Sequence, residues 1–422
     1  MDWRFYITYL KTLLIKFRYL ILLASVIGAV AFILFKFIYP QIFPVTVITG
    51  FVGQYRLDNL PLEVSQKISK SLIAVDDNGQ LIPQIAVSWK NEDDAKEWTF
   101  EIDPKYNARD LPVNIKGTKV SVPNSHTLVF ELQQSYVSFP YLLTKPLIKK
   151  TGETWGGAKI VKFKTSRDLV TSLLVEYPNK KRERFLFFPT NESAFVALKM
   201  GKLDQLLSVR EVGDFTNYKN IKVSPRQNDN EIVMLFYNTE SKFFSSKEAR
   251  VAMNYGLDKN KLDNKRAFTT IYPKGPFYNT AVKKYDYDIS RAKVAAKDIL
   301  LRVVTTPDLV SVAEKVKADW AKVGVKSEIF VTTITPTNFD VYITTFTIPY
   351  DPDQYPLWHS TQADTNISNF TNPRIDKLLE DGRVTADLEA RKKIYFDFQR
   401  FLAEDCPAIP LYFTTYYNLE RI

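Results

Sequence analysis

The sequence holds a single cysteine, Cys406, and two histidines, His126 and His359. An intramolecular disulfide is therefore excluded. A zinc site built from Cys and His needs three or four such ligands, so neither zinc binding nor Cys–His catalysis has the parts it requires. Glycine is scarce, at 14 in 422 residues, which argues against glycine-rich phosphate loops, collagen-like repeats and long flexible linkers. No basic block interleaved with aromatics reads as a nucleic-acid groove, although the net charge is +10. Paired carboxylates such as Asp93-Asp94 fall in polar turns, and no catalytic set stands out. Nothing here calls for an enzyme, a cofactor, a metal or a nucleic-acid partner.

What is present is ordinary globular material of unusual aromatic content. Hydrophobic residues make up 45%, charged residues 25% and aromatics 14% of the chain. The length is generous for one core and comfortable for two lobes. One long apolar run occurs, YLILLASVIGAVAFILF from Tyr19 to Phe35, with apolar continuation to Tyr39. About 20 residues cross a hydrocarbon core, so residues 19–39 are expected to form a transmembrane signal anchor. Arg4, Lys11, Lys16 and Arg18 precede the run, so residues 1–18 form a basic cytoplasmic segment and the main domain lies outside the cell membrane, extracellular or periplasmic. The run ends in KFIYPQIFP, a poor cleavage site, which favours an uncleaved anchor over a signal peptide.

Beyond the anchor the pattern is mixed α and β. Thr118–Leu132 predicts a hairpin turning at PNS. Asn191–Met200 predicts a helix stopped by Gly201, with a short strand LDQLL after it. Ser245 to Glu248 reads as a capping box for the helix EARVAMNYGL. From Ile299 to Val331 a strand, a helix opened by Thr306-Pro307 and closed by Gly324, and a second strand make a β-α-β unit, hence parallel sheet. Asn372-Pro373 opens one more helix, and Thr385 or Asp387 caps another whose inner stripe is Ile394, Phe398, Phe401 and Leu402. A strand-like IPLYFTTYY closes the chain.

Several stretches, in this order, carry a resemblance: LIPQIAVSWKNEDDAKEWTFEI from Leu81, SHTLVFELQQSYVSFPYLLTKPLI, FVALKMGKLDQL, MLFYNTESKFFSSKEARVAMNYGLDKNKL, then DPDQYPLWHS, NISNFTNPRIDKLLEDGR and IYFDFQRFLAEDCPAIPLYF. Together, from about Val45 to Phe413, they resemble the extracellular solute-binding proteins of family 5, the oligopeptide, dipeptide and nickel class that serves ABC transporters. The resemblance implies an α/β two-lobe periplasmic-binding-protein-like fold, type II, closing on its ligand through a hinge. Residues 45–237 plus 405–422 would form the first lobe and 238–404 the second. The stretch after Ile102 departs from the family pattern, so the accessory lobe is expected to be trimmed. The implied function is a membrane-anchored solute-binding protein of an ABC-type importer, with a peptide or other small solute and an ABC permease as partners. The alternative is a binding-protein fold retained as a structural or interaction module of the cell envelope.

The same resemblance places ligand contacts on the loop FTIPYDPDQYPLWHS. Phe346, Tyr350, Tyr355 and Trp358 offer stacking surface for the closing face, or packing against the second lobe. In peptide-binding members an aspartate three residues before an Asp-Pro pair holds the peptide amine. Here the pair is Asp351-Pro352, and Ile348 stands at the amine position. Asp351 or Asp353 substitutes for it, or else serves as a turn former. Tyr237, Asn238 and Thr239 fall at the first crossover between lobes, and Asn366 and Phe370 in a further contact stretch. His359 reads as a satisfied polar residue or a metal ligand, and Cys406 as a small buried residue.

Overall fold

The computed structural model describes residues 3–33, 46–92, 94–262, 265–293 and 299–422. It opens on two helices, α1 (Trp3–Lys16) and α2 (Arg18–Ile33). Helix α2 covers 19–33 of the expected anchor, and 34–39 lie outside the described residues. Among the described residues no helix is long and apolar enough to cross a membrane. Leu20, Leu22, Ile27 and Phe32 of α2 are exposed all the same.

A ten-stranded sheet forms the spine of the rest. In chain order its strands are β1 (Thr46–Val52), β8 (Lys159–Ser166), β9 (Leu169–Glu176), β10 (Arg182–Phe188), β11 (Gln205–Val209), β12 (Ile221–Tyr237), β13 (Leu300–Thr305), β14 (Lys326–Val331), β15 (Val341–Thr347) and β16 (Ala408–Arg421). Their spatial order is β14-β13-β15-β12-β16-β11-β1-β10-β9-β8. The two long antiparallel strands β12 and β16 lie at its centre and belong to both halves. Residues 221–227 of β12 pair with 415–421 of β16 beside the first half, while 231–237 pair with β15. Between these stretches the ladder breaks, its register shifting between Gln227 and Ile232. The segment 231–237, expected wholly in the first lobe, thus packs in the second half of the sheet.

The reason is visible in the residues. The polar PRQNDN of β12 gives way to IVMLFY, an unbroken apolar run that suits a strand covered on both faces. Alternate side chains enter opposite cores. Val233, Leu235 and Tyr237 meet Met253 of α3 (Lys247–Tyr255) and Trp320 of α4 (Val310–Ala321). Ile232, Met234 and Phe236 meet Ile375 and Leu379 of α5 (Pro373–Val384) and Tyr395 and Phe398 of α6 (Leu388–Asp405). The β-α-β unit is present, with β13 and β14 parallel.

In the first half, Val64 and Ile68 of a short helix (Leu62–Ile68) pack with Leu173, Val175 and Phe185 on one face of the sheet. Ala194 and Leu198 from the helix Asn191–Lys199 cover the other. The caps are local. Thr190 opens that helix, Asn372 opens α5 and Asp387 opens α6, each side chain accepting a backbone N–H of the first turn. At α3 the cap is Ser246, one residue later than the expected Ser245, and its Oγ also donates to Glu248 at 2.7 Å.

Between β1 and β8 the chain builds a separate unit. Ile73–Val75 (β2) and Leu81–Pro83 (β3) form a two-stranded sheet. The strands β4 (Ala86–Glu92), β5 (Glu97–Ile102), β6 (Thr118–Asn124) and β7 (Thr127–Leu132) form a four-stranded antiparallel one, its last two strands being the expected hairpin. Trp98, Phe100, Phe130 and Phe139 fill its core. The portion expected to be trimmed therefore keeps a sheet and a hydrophobic core of its own.

Candidate functional site

A cavity of about 330 Å³ lies where this accessory unit, the first half and the second half meet. Leu62 and Gln66 of the short helix line it, with Ser69, Ser71, Ala74, Val75 and Gln84. The segment Tyr141–Pro146 and Tyr350 complete the wall. Its volume falls in the range of small-molecule sites. Several polar groups are already engaged. Tyr141 Oη donates to Gly79 O at 2.9 Å, Thr144 Oγ1 to Tyr141 O at 2.8 Å, and Ser69 Oγ to Leu147 O at 2.5 Å. Burial pushes the Tyr141 phenol far above its ordinary range, so it stays a neutral donor.

Tyr350 reaches the cavity because the loop after β15 is held from both sides. Ile348 N–H donates to Asn230 O at 2.7 Å. The Tyr350 ring meets Tyr272 edge-on at 4.9 Å, and Tyr272 Oη donates to Asp77 O in the accessory unit at 3.0 Å. Arg391 of α6 grips Asp351 with two hydrogen bonds, Nη1 to Oδ2 and Nη2 to Oδ1, both 2.8 Å. Ser138 of the accessory unit donates to Asp351 Oδ1 at 2.7 Å and accepts from Arg391 Nη2 at 2.6 Å. Burial alone would disfavour the guanidinium, but the Asp351 carboxylate reverses that and holds it firmly protonated. Beside this triad, Arg383 lies between the rings of Tyr136 and Tyr355, at 4.7 and 4.5 Å, and 3.2 Å from Asp353. Burial raises the pKa of Asp353, partly opposed by Arg383.

A second polar group bridges the halves near the break in β12. Arg210, after β11, pairs with Glu231 at 3.1 Å and with Asp308 ahead of α4. Tyr416 Oη donates to Glu231 at 3.0 Å. Within the first half, Arg226 pairs with Glu63, which also accepts from Ser208 Oγ at 2.7 Å.

The expected contact residues divide sharply. Tyr350 lines the cavity. Asp351 is beside it, but its carboxylate is committed to Arg391 and Ser138, so it is neither a free ligand anchor nor a mere turn former. Ile348 is buried among Trp358, Phe370 and Phe413, and Phe346 packs against the same core. Trp358 is buried, its indole N–H donating to Gln354 at 2.9 Å. Tyr237 is buried against Phe244, ring centroids 4.3 Å apart. Asn238 accepts from Asn369 Nδ2 at 3.1 Å, and Thr239 Oγ1 donates to Asn369 O at 2.9 Å, a local tie between loops. Asn366 is buried and bonds Phe370 through its Nδ2 and Oδ1. His359 stacks on Tyr355 at 4.0 Å, with its ring nitrogens near Thr361 and Glu380. Among the described residues no group of His, Cys, Asp and Glu could hold a metal ion.

Ser138, Arg391, Gln66, Gln84 and Lys145 escaped sequence reasoning. Only Arg391 carried a signal. It sits one and two turns before Tyr395 and Phe398 on the buried stripe of α6, where a charge has to find a partner.

Comparison with known proteins fits this architecture. Residues 175–367 match the sequence model described as bacterial extracellular solute-binding proteins, family 5, middle portion. The nickel-binding periplasmic protein of Escherichia coli (strain K12) is 23% identical over 437 residues, spanning 82% of this chain and 83% of that protein. Over residues 175–367 the chain is thus similar to the family 5 extracellular solute-binding proteins. Heme-binding protein A of Haemophilus influenzae is 24% identical, but the match covers 53% of this chain and only 47% of that relative. Among solved structures, NikZ of Campylobacter jejuni in complex with Ni(L-His) superposes with a TM-score of 0.73 at 20% identity, covering 89% of this chain and 94% of that one. The chain thus has the two-lobe fold of these solved structures. Proteins of the family are extracytoplasmic binding proteins of ABC transporters.

Proposed function

We propose that this chain is a family 5 solute-binding protein, tethered to the membrane, and captures a small, peptide-like solute between its lobes for an ABC permease. The cavity walled by both lobes and the accessory unit is the observation that carries the reading. A peptide-like occupant suits it because β2 is paired along one edge only, by β3, and Ala74 and Val75 of β2 line the cavity. An extended ligand adds naturally to such an edge. The lobes are proposed to part at the ladder break between Gln227 and Ile232 rather than at Asn238. The exposed apolar side chains of α2 support a membrane tether, which would raise the local concentration at the permease.

Ligand capture is tested by native mass spectrometry of the full chain purified from its host in detergent, followed by thermal-shift screening with a peptide library. A co-purifying solute, lost in Tyr350→Ala with folding intact, is expected. No bound molecule and no shift from any library member would favour the second reading, an envelope interaction module, for which the bonded Asp351–Arg391–Ser138 contact is the supporting observation.

A further inference from the structure

The cavity has a sign. Among the described residues lining it, Lys145 is the one charged side chain, and no carboxylate is present. The Lys145 ammonium donates to Asn59 Oδ1 at 3.2 Å and makes no ion pair within 4 Å among the described residues. Of the carboxylates nearby, Asp76 accepts the backbone N–H groups of Asn78 and Gln80, and three others are matched by cations of the chain. Asp351 is held by Arg391, Glu63 pairs with Arg226, and Asp229 pairs with Lys274 at 2.9 Å. The wall also offers uncommitted amide N–H donors, with the Gln66 carbonyl oxygen beside them. Gln84 uses its Oε1 to accept from Ser71 N and Oγ, leaving its amide N–H groups, and the Gln66 amide makes no hydrogen bond among the described residues.

A solute with a free ammonium would place its charge beside a lysine, with no carboxylate among the lining residues to receive it. That costs several kcal/mol. A solute bearing a carboxylate meets an ammonium and two amide donors. From this asymmetry we infer that the site selects solutes whose charged end is an anion, such as a carboxylate, and which carry no free α-ammonium. Lys145 is the residue that sets this preference. The inference rests on the solute-binding reading and narrows its ligand class. Lys145 is exposed at the cavity mouth, so its contribution is screened by salt.

The probes are acetyl-dialanine, with a carboxylate and no ammonium, and dialanine amide, with the reverse. Each is titrated calorimetrically into the full chain in detergent micelles at low and high salt. Acetyl-dialanine is expected to bind and dialanine amide is not. Lys145→Gln should weaken the acetylated peptide about fivefold, Lys145→Glu further, and added salt should mimic the loss. Binding of the amide as tightly as of the acetylated peptide, or an acetylated-peptide affinity indifferent to Lys145→Gln, overturns the inference and leaves the solute-binding reading standing. If both probes and the peptide library fail to bind, the solute-binding reading falls and takes this inference with it.

Discussion

Replacing Asp351 by alanine tests the architecture around the cavity most directly. The Arg391–Asp351 pair is made of two 2.8 Å hydrogen bonds between side chains that are 8% and 5% exposed, with Ser138 completing the set. Breaking a buried pair by removing one partner strands the other charge and costs about 3–5 kcal/mol. That is a large part of the roughly 5–15 kcal/mol that holds a domain folded. Asp351→Ala and Arg391→Ala are each expected to fall in that range. The apolar pair Asp351→Leu with Arg391→Met should cost far less than the sum, because no charge is left stranded. Ser138→Ala keeps the ion pair and removes hydrogen bonds to charged groups, each worth about 1.5–3 kcal/mol. Urea unfolding of the full chain in detergent, followed by circular dichroism, supplies the cycle. Hydrogen exchange over residues 133–147 locates the loosened part. An Asp351→Ala cost below about 1 kcal/mol, or single costs that add in the double variant, would refute the claim that a desolvated pair fastens the accessory unit to the second half.

Gly382→Ala should destabilise by about 1–3 kcal/mol in the same unfolding assay, because its Cβ would lie 2.7 Å from ring atoms of buried Tyr395; a neutral effect would mean that the ring has room to shift. Ser246→Ala should cost about 1 kcal/mol through the lost α3 cap, and Ser245→Ala much less, so equal costs would misplace the cap. Burial, and then the nearby Arg266, pull the Lys259 ammonium down to about 7 from an ordinary 10.5. Between those values the unfolded chain holds a proton that the native chain has released, so stability should rise with pH from about 7 upward. Lys259→Met should flatten that rise, and a variant with an unchanged pH slope would contradict it.

Legibility followed the kind of interaction. The β-α-β unit, the 118–132 hairpin and the Asn372 cap were readable because they rest on periodicity and on neighbours three or four residues apart. IVMLFY has the unbroken apolar run of a buried strand, but nothing local to it tells to which half it belongs. That depends on pairing with β15, more than a hundred residues away, and on cores assembled from distant helices. The aromatic loop misled for the same reason. Phe346 and Trp358 look like stacking surface in isolation, yet the apolar faces of α5 and α6 claim them. Among the expected contacts only Tyr350 reaches the cavity wall. Lys145, Gln66 and Gln84 carry no local signature, since a lysine or glutamine in a loop becomes a wall residue only after three separate segments converge.

The two bridges between the parts of the molecule differ in what separation would cost. At the β12 break, Arg210 and Asp308 are 32% and 34% exposed, while Glu231, the other partner of Arg210, is 12% exposed. A pair as open to water as Arg210–Asp308 contributes about 0–1 kcal/mol, because solvent replaces the partner almost as well. At the other bridge Ser138 meets a desolvated pair, and Val137 N–H donates to Arg383 O at 2.9 Å beside the Tyr136–Arg383–Tyr355 stack. Pulling that contact apart exposes groups whose partners water cannot replace without first breaking the buried arrangement. A hinged opening at the β12 break would therefore part Arg210 from Glu231 and Asp308 while Ser138 stays with the second half. The cavity wall contributed by the short helix Leu62–Ile68 would then withdraw from the wall contributed by Tyr350, which is the movement a solute needs to enter and leave.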